Sequence, residues 1–377
     1  MAPLLLAGCQ NLFVCEGKAS CPSSGGGGST SGDYAYVSNS SSGSTYLAGY
    51  DVSAGKLTVI SGFPLNLGFI PVGLAVAPKN SFLYVASIPG APTPGIYTYS
   101  ISSAGVLTST KTVISGAFSS IDISPDGNYL FAVGTDGKTL SEYQINTSTG
   151  ALSPLPPFGV PGLSCAITSG EGVPASQSCT VKVSPSGQFV VAALGTEGDA
   201  IFPYSSSTGI SSASYTLIPS GSTAQSPTGD YSLALDKNNY TYIARTSALA
   251  VYSISSTGTA SQQSSVTYDS GSVTRSVVLG STYNYVYTAN EGASTISGYG
   301  IGNTGALAPV TGSPVSGPTQ VSALGIDNTG AYMMAAGFDS SAGVQLFSIS
   351  SSGALTKVAS AVSGTSTAYP AVLALTH

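Results

Sequence analysis

The fold is decided by residues 121–155, which read IDISPDGNYLFAVGTDGKTLSEYQINTSTGALSPL. Apolar and polar residues alternate in two runs on either side of a Ser-Pro-Asp-Gly turn, a third run ends in Tyr-x-Ile, and a short GALSPL tail follows. Alternation with a period of two, bounded by Gly, Pro, Asn and Asp, is typical of antiparallel strands joined by tight turns. The stretch therefore predicts a four-stranded meander.

The rest of the chain repeats this meander. The third strand recurs as an aromatic residue, an aliphatic residue two positions later and a turn glycine. Its seven copies begin at Tyr50, Tyr99, Tyr143, Tyr204, Tyr252, Tyr299 and Phe347. The second strand also has seven copies, which begin at Tyr34, Phe82, Tyr129, Phe189, Tyr240, Tyr285 and Tyr332. A unit of roughly 45 residues that recurs in this way indicates a β-propeller.

The first strand occurs only six times ahead of its partners, as in LAVAPKN and IDISPDG. Its seventh copy is VLALTH, residues 372–377, at the end of the sequence. We therefore expect the last strand to complete the first blade, which removes both open edges of the array. The predicted fold is all-β: a seven-bladed β-propeller of four-stranded antiparallel blades over residues 33–377, closed by residues 372–377.

Composition excludes one class of partner. Charged residues make up 7% of the chain, with 10 Lys plus Arg against 16 Asp plus Glu and a net charge of −6. Binding to nucleic acid needs clustered cations, and the sequence contains no such cluster. Zinc-type His/Cys spacing, a Gly-x-Ser-x-Gly elbow and a P-loop are also missing, so we expect no zinc site and no cofactor. Binding of a hard cation stays open on the acids Asp136, Glu197, Asp199, Glu291 and Asp339, although the sequence contains no EF-hand-like calcium loop.

The first 32 residues differ from the repeats. Residues 1–9 end in Leu6-Ala7-Gly8-Cys9, which resembles the lipobox of bacterial lipoproteins, although no charged segment precedes the apolar run. A chance Leu-Ala-Gly-Cys is the alternative. Residues 10–32 end in the Gly/Ser-rich PSSGGGGSTSG, a flexible linker. These features predict lipidation at Cys9 and a domain that contacts the membrane only through this anchor, in the periplasm or at the cell surface.

The chain has five cysteines. If Cys9 carries lipid, the other four form two local pairs, Cys15 with Cys21 and Cys165 with Cys179. The second pair would close a loop of about fifteen residues, worth roughly 3 kcal/mol in the chain-entropy model. It lies in a Pro/Gly-rich insertion, residues 156–178, that is either a lid over the channel or a surface loop. Reduced cysteines in a cytosolic protein are the alternative.

Two stretches carry a family resemblance: ISPDGNYLFAV, residues 123–133, and YVYTANEGASTISGYGIGNTGAL, residues 285–307. They resemble the seven-bladed lactonase family, which includes bacterial 6-phosphogluconolactonase and the propeller-type muconate cycloisomerases. The resemblance covers the whole domain, but its motifs specify the blade and not the active site. It implies the fold directly and a lactone-opening activity only as an expectation.

Loops that join strands two and three, and loops that join successive blades, lie on one face of a propeller around the channel mouth. We expect that face to carry Asp136, Lys138, Glu197, Asp199, Arg245, Glu291 and Asp339, with Arg275 close to the channel mouth. The turn residues Asp126, Lys237 and Asp327 belong to the opposite face and are predicted to be solvated.

The resemblance implies a site of His, Arg and acidic side chains, because ring opening needs a base and an oxyanion stabiliser. The only histidine, His377, aligns with Pro125 in a turn on the opposite face. The catalytic candidates are therefore Glu291 or Glu197 as the base, with Arg245 and Arg275 holding an anion. Polar loop residues without chemistry are the alternative for each acid.

Three functions remain open from the sequence. The first is a non-catalytic module at the cell envelope that binds protein, glycan or a small molecule at the channel mouth. The second is a lactone hydrolase. The third is self-assembly into a surface layer, because a nearly uncharged exterior offers little repulsion between copies.

Overall fold

The computed structural model describes residues 33–41, 44–87, 93–159, 179–195, 197–211, 214–220, 230–245, 248–267, 273–337, 343–361 and 371–377. These residues form seven antiparallel sheets, each with a path of four hydrogen-bonded strands. Four of the sheets carry one additional short strand. The prediction of a seven-bladed propeller is thereby confirmed.

We number the blades 1–7 from the second-strand copy that begins at Tyr34. The innermost strands of blades 1–7 are Leu373–Leu375, Pro71–Val76, Phe118–Ile123, Cys179–Val183, Asp230–Leu235, Thr274–Leu279 and Val321–Ile326. The second strands are Tyr34–Ser41, Phe82–Ser87, Tyr129–Gly134, Phe189–Leu194, Tyr240–Arg245, Tyr285–Asn290 and Tyr332–Gly337. The third strands are Ser44–Asp51, Gly95–Ile101, Thr139–Ile145, Asp199–Ser205, Ala248–Ile254, Thr295–Ile301 and Val344–Ile349.

The outer strands are Thr58–Val59, Leu107–Ser115, Leu152–Pro154, Gly209–Ile210, Ala260–Thr267, Leu307–Pro309 and Leu355–Ala361. The additional short strands are Leu65–Asn66, Phe158–Gly159, Thr216–Ile218 and Val315–Ser316, each paired with a third strand. One 3₁₀ turn, Ser53–Gly55, is the helical element of the described residues. Within those residues, no helix is long and apolar enough to cross a membrane.

The ring closes through the C-terminal strand. Leu373–Leu375 pairs antiparallel with Tyr34–Ser41, so that Ala35 lies opposite Leu375 and Val37 opposite Leu373. Thr376 extends the contact, because its backbone N–H donates to the Tyr34 carbonyl oxygen at 2.9 Å. Blade 1 is thus built from both ends of the propeller sequence, as the unpaired VLALTH copy predicted.

The core lies between neighbouring blades, where the second strands are buried on both faces. Three buried tyrosines also bond to the next blade: Tyr36, Tyr84 and Tyr287 donate their hydroxyls to the carbonyls of Gly105, Gly150 and Gly353. Each of these glycines has a positive φ near 70–80°, which suits a residue without a Cβ. The same turn positions therefore set both the hairpin and the spacing between blades.

Several sequence predictions fall outside the described residues: the lipobox with Cys9, the linker with Cys15 and Cys21, residue Cys165, and residues 160–178 of the insertion. Cys179 is described and 2% exposed at the start of the innermost strand of blade 4. The Cys165–Cys179 pairing stays a prediction. Asp126 and Lys237 are exposed, as expected. The prediction that Asp327 is solvated is wrong: it is 4% exposed, and its carboxylate accepts the backbone N–H of Tyr332 at 2.8 Å within the turn.

Candidate functional site at the channel mouth

A β-bulge near the start of the innermost strand shapes the channel mouth. In five blades the pairing with the second strand skips one residue at this point. The skipped residues are Val72, Ser119, Tyr231, Arg275 and Ser322. All five line one cavity of about 190 Å³ at the centre of the ring. Bulges commonly re-aim side chains beside functional sites, and here they direct one residue from each of these five blades into the channel.

Small hydroxyl side chains make up much of the cavity wall and also join the blades. Ser120, Ser232 and Ser276 each accept the backbone N–H of a residue on the innermost strand of the next blade, at 3.2–3.3 Å. Among the described residues, the lining includes two cations, Arg275 and Lys182, and neither a carboxylate nor a histidine. The cavity therefore favours a small, oxygen-rich ligand with a carbonyl or anionic group.

Arg275 is the charged bulge residue. Its Nε forms an ion pair with Oε2 of Glu291, and the two side chains are 8% and 6% exposed. Its guanidinium carbon lies 5.7 Å from the centre of the Tyr231 ring, which belongs to the neighbouring blade. Its Nη1 is buried and has no hydrogen-bond partner among the described residues. Arg275 is thus fixed at one edge and retains an unsatisfied donor at a cavity wall.

Glu291 follows directly after the second strand of blade 6. Its backbone N–H donates to the Val273 carbonyl oxygen at 2.8 Å, which ties the turn to the segment that precedes Arg275. The Glu291 side chain is not part of the cavity lining. In this geometry Glu291 positions the guanidinium of Arg275 and does not itself face a ligand.

Arg245 belongs to a second buried cluster, between blades 4 and 5. Its Nε lies 3.0 Å from Oδ1 of Asp230, and its Nη2 donates to the Pro219 carbonyl oxygen at 2.8 Å. Asp199, at the start of the third strand of blade 4, completes the cluster. Both aspartates are 0% exposed. Asp199 and Arg245 are absent from the lining of the mouth cavity, so the structure does not bring them together with Arg275 as ligand-binding groups.

The protonation of this cluster follows from its burial. Burial raises the pKa of Asp199 well above its usual value, the charge of Asp230 raises it further, and Arg245 opposes the shift. Burial also raises the pKa of Asp230 to about 6, although Arg245 lowers it. Burial thus raises the pKa of both aspartates, and the charge of Arg245 opposes the shift at each of them.

Asp230 is a member of this cluster that the sequence patterns do not predict. The sequence feature that could have identified Asp230 is an acid at the first position of the innermost strand DYSLAL. The equivalent position in blade 6 is Thr274. The other candidates lie apart from the cavity: Asp136 is exposed and accepts the Lys138 backbone N–H at 2.9 Å, and Glu197 is exposed. Asp339 lies outside the described residues.

A family model for the seven-bladed β-propeller lactonases matches residues 28–168 and 173–369. The chain belongs to this family. No curated protein gives a significant match. The matched residues include both stretches that carry the resemblance in the sequence, 123–133 and 285–307.

Solved structures share the fold at low identity. A Bacteroides fragilis protein provisionally described as a 6-phosphogluconolactonase is 16% identical with a TM-score of 0.71, covering 95% of this chain and 100% of that one. A Lactobacillus plantarum protein is 16% identical with a TM-score of 0.69, covering 92% and 99%. A periplasmic gluconolactonase from Pseudomonas aeruginosa is 16% identical with a TM-score of 0.65, covering 91% and 99%. At this identity the likeness concerns the fold alone.

Proposed function

We propose that this lactonase-family propeller hydrolyses a small lactone at the channel mouth, with Arg275 as the residue that contacts the reacting carbonyl. The observation that carries the proposal is the buried Nη1 of Arg275 at the cavity wall, which has no hydrogen-bond partner among the described residues. A buried donor without a partner is costly, so a site that keeps one favours a ligand that supplies the missing acceptor. A carbonyl oxygen that becomes an oxyanion is the strongest such acceptor.

The reaction follows from this contact. Water adds to the carbonyl carbon, the acyl–oxygen bond of the ring breaks, and the proton released by the water ends on the ring oxygen. The product is an open hydroxy acid. Arg275 lowers the barrier because its interaction strengthens as negative charge develops on the carbonyl oxygen, while Glu291 keeps the guanidinium in place.

The cavity limits the substrate to a small molecule. Its volume of about 190 Å³ is below the roughly 300–1,000 Å³ that is typical of pockets for drug-sized ligands. The surrounding serine and threonine hydroxyls suit a hydroxylated ring. We therefore expect a single-ring lactone to be a better substrate than one enlarged by a phosphate group.

Binding without turnover is the second candidate, and one observation favours it. The described residues that line the cavity include no carboxylate or histidine that could act as a base. In that case Arg275 holds the carboxylate of a small acid and no chemistry follows.

The two candidates are separated by measuring turnover and binding on the same full-length protein. A pH-stat assay with δ-gluconolactone, corrected for spontaneous hydrolysis, measures turnover, and calorimetric titration with gluconate measures binding. Hydrolysis above background that Arg275→Gln removes supports the enzyme. Saturable gluconate binding without turnover supports the binding module, and neither activity rejects both.

We also propose that the protein acts outside the cytoplasm and is anchored through a lipid on Cys9. The lipobox and the Gly/Ser linker support this, and one structural neighbour is described as periplasmic. In a bacterial host, Cys9→Ser should move the protein from the membrane to the soluble fraction. Membrane association that survives the substitution would reject the anchor.

Concentration-dependent light scattering tests assembly into a surface layer, which a strictly monomeric result would exclude.

A further inference from the structure

A second, larger cavity opens at the opposite end of the channel. Its volume is about 470 Å³, within the range of small-molecule sites. Aliphatic residues of the innermost strands form much of its wall, including Leu74, Val76, Leu373 and Leu375. Three prolines at equivalent turn positions, Pro78, Pro125 and Pro185, lie at its rim together with Tyr283 and His377.

Lys182 is the lysine of this cavity, and its wall also includes the carboxylate of Asp122. It lies on the innermost strand of blade 4 and lines both this cavity and the mouth cavity. Its Nζ is 3.5 Å from Oδ1 of Asp122, a loose ion pair whose side chains are 42% and 22% exposed. Oδ2 of Asp122 accepts the Val183 backbone N–H at 2.8 Å, which fixes the carboxylate on the wall. The ammonium has three donors, and the long contact to Asp122 does not occupy all of them.

We propose that this cavity is a second binding site, distinct from the mouth site, for a small amphipathic carboxylic acid. The apolar body of the ligand would lie against Leu74, Val76 and Leu375, and its carboxylate would bind Lys182. A pocket with aliphatic residues on its wall and a lysine beside them is the arrangement that such a ligand complements. Asp122 competes for the same ammonium and therefore limits the affinity.

Substitutions of Lys182 and Asp122 should change the affinity for the ligand in opposite directions, which gives a test of the proposal. Isothermal titration with benzoate should show saturable binding to the full-length protein. Lys182→Met should weaken it by about tenfold or more, because a hydrogen bond to a charged group is lost. Asp122→Asn should strengthen it, since the competing carboxylate is removed while an oxygen remains to accept the Val183 N–H. Loss of folding cannot produce that gain.

Two controls locate the ligand. Lys138→Met makes the same substitution at an exposed turn on the mouth face and should leave benzoate binding unchanged. Arg275→Gln, which removes the proposed mouth contact, should also leave it unchanged. Methyl benzoate, which has the same ring without the charge, should bind at least several-fold more weakly.

The proposal is overturned if benzoate does not bind saturably, if the neutral ester binds equally well, or if Asp122→Asn weakens binding as Lys182→Met does. Loss of benzoate binding in Arg275→Gln would instead place benzoate at the mouth site and also reject it. These outcomes are read from benzoate binding and not from lactone turnover, and the proposed reaction assigns the reacting carbonyl to Arg275, which does not line the far cavity.

Discussion

Glu291 holds the Nε edge of Arg275 in a buried ion pair, and this leaves Nη1 of the same guanidinium without a protein partner among the described residues. The two residues come from different parts of blade 6. Arg275 lies at the bulge of the innermost strand, and Glu291 lies in the turn after the second strand. The pairing converts a flexible arginine into a positioned donor at the channel mouth. It also couples the stability of the blade to the geometry of the proposed site.

The first prediction concerns that coupling. Glu291→Gln should lower the free energy of unfolding by about 3 kcal/mol, because it leaves the buried charge of Arg275 uncompensated. The double variant with Arg275→Met should recover much of the loss. Urea unfolding of the four proteins gives the coupling energy. The half-exposed pair of Lys182 and Asp122 is the matched control, with an expected coupling of no more than about 1 kcal/mol. Equal coupling in both pairs would contradict the role of burial.

The second prediction concerns pH. The folded pKa values of Asp199 and Asp230 are raised, so the folded state binds more protons than the unfolded chain above the ordinary aspartate pKa. Their contribution to stability is therefore complete below about pH 3.9 and is lost as pH rises through about 6 and beyond.

Asp199→Asn imitates the protonated acid and should remove much of this pH dependence. At pH 8 the variant should be more stable than the wild type by roughly 1 kcal/mol or more. Thermal unfolding between pH 4 and 8 checks this. Glu197→Gln, a change at an exposed acid two residues away, is the control and should leave the profile unchanged. If Asp199→Asn makes the protein less stable than wild type at pH 8, then Asp199 is ionised in the fold.

The third prediction concerns the bonds between blades. Tyr84→Phe should lower the free energy of unfolding by about 1–2 kcal/mol, because the buried Gly150 carbonyl loses its donor at 3.1 Å. Tyr215→Phe is the control, since the Tyr215 hydroxyl has no hydrogen bond among the described residues, and its change should stay within about 0.5 kcal/mol. Denaturant unfolding measures both. Equal effects would mean that the inter-blade bond contributes nothing.

The blade pattern was readable from the sequence because each strand is an alternating run between turn residues. The copies that begin at Tyr34 and Tyr285 are strands at those same residues, and the unpaired 372–377 segment closes the ring. The innermost strands of blades 2 and 3 begin earlier than the LAVAPKN and IDISPDG motifs, at Pro71 and Phe118. A bulge interrupts the alternation there, so periodicity does not detect the first residues of the strand.

The same bulge explains why the site was only partly predictable. The approximate place of Arg275 follows from its position at the start of a blade, but its ion pair with Glu291 depends on a skipped residue that no motif marks. Asp230 was missed because its partners, Asp199 and Arg245, lie on two blades, and blade motifs do not show which side chains meet between blades. The roles of these residues in catalysis remain predictions.

The central claim is that Arg275 stabilises the negative charge that develops on a lactone carbonyl. The direct measurement is kcat/KM for δ-gluconolactone with wild type, Arg275→Gln and the control Lys138→Gln, each assayed well below its own measured unfolding temperature. We predict that kcat/KM falls by a factor of roughly 10²–10³ for Arg275→Gln, mostly through kcat, and does not change for Lys138→Gln. Hydrolysis by folded Arg275→Gln at the wild-type rate would contradict it.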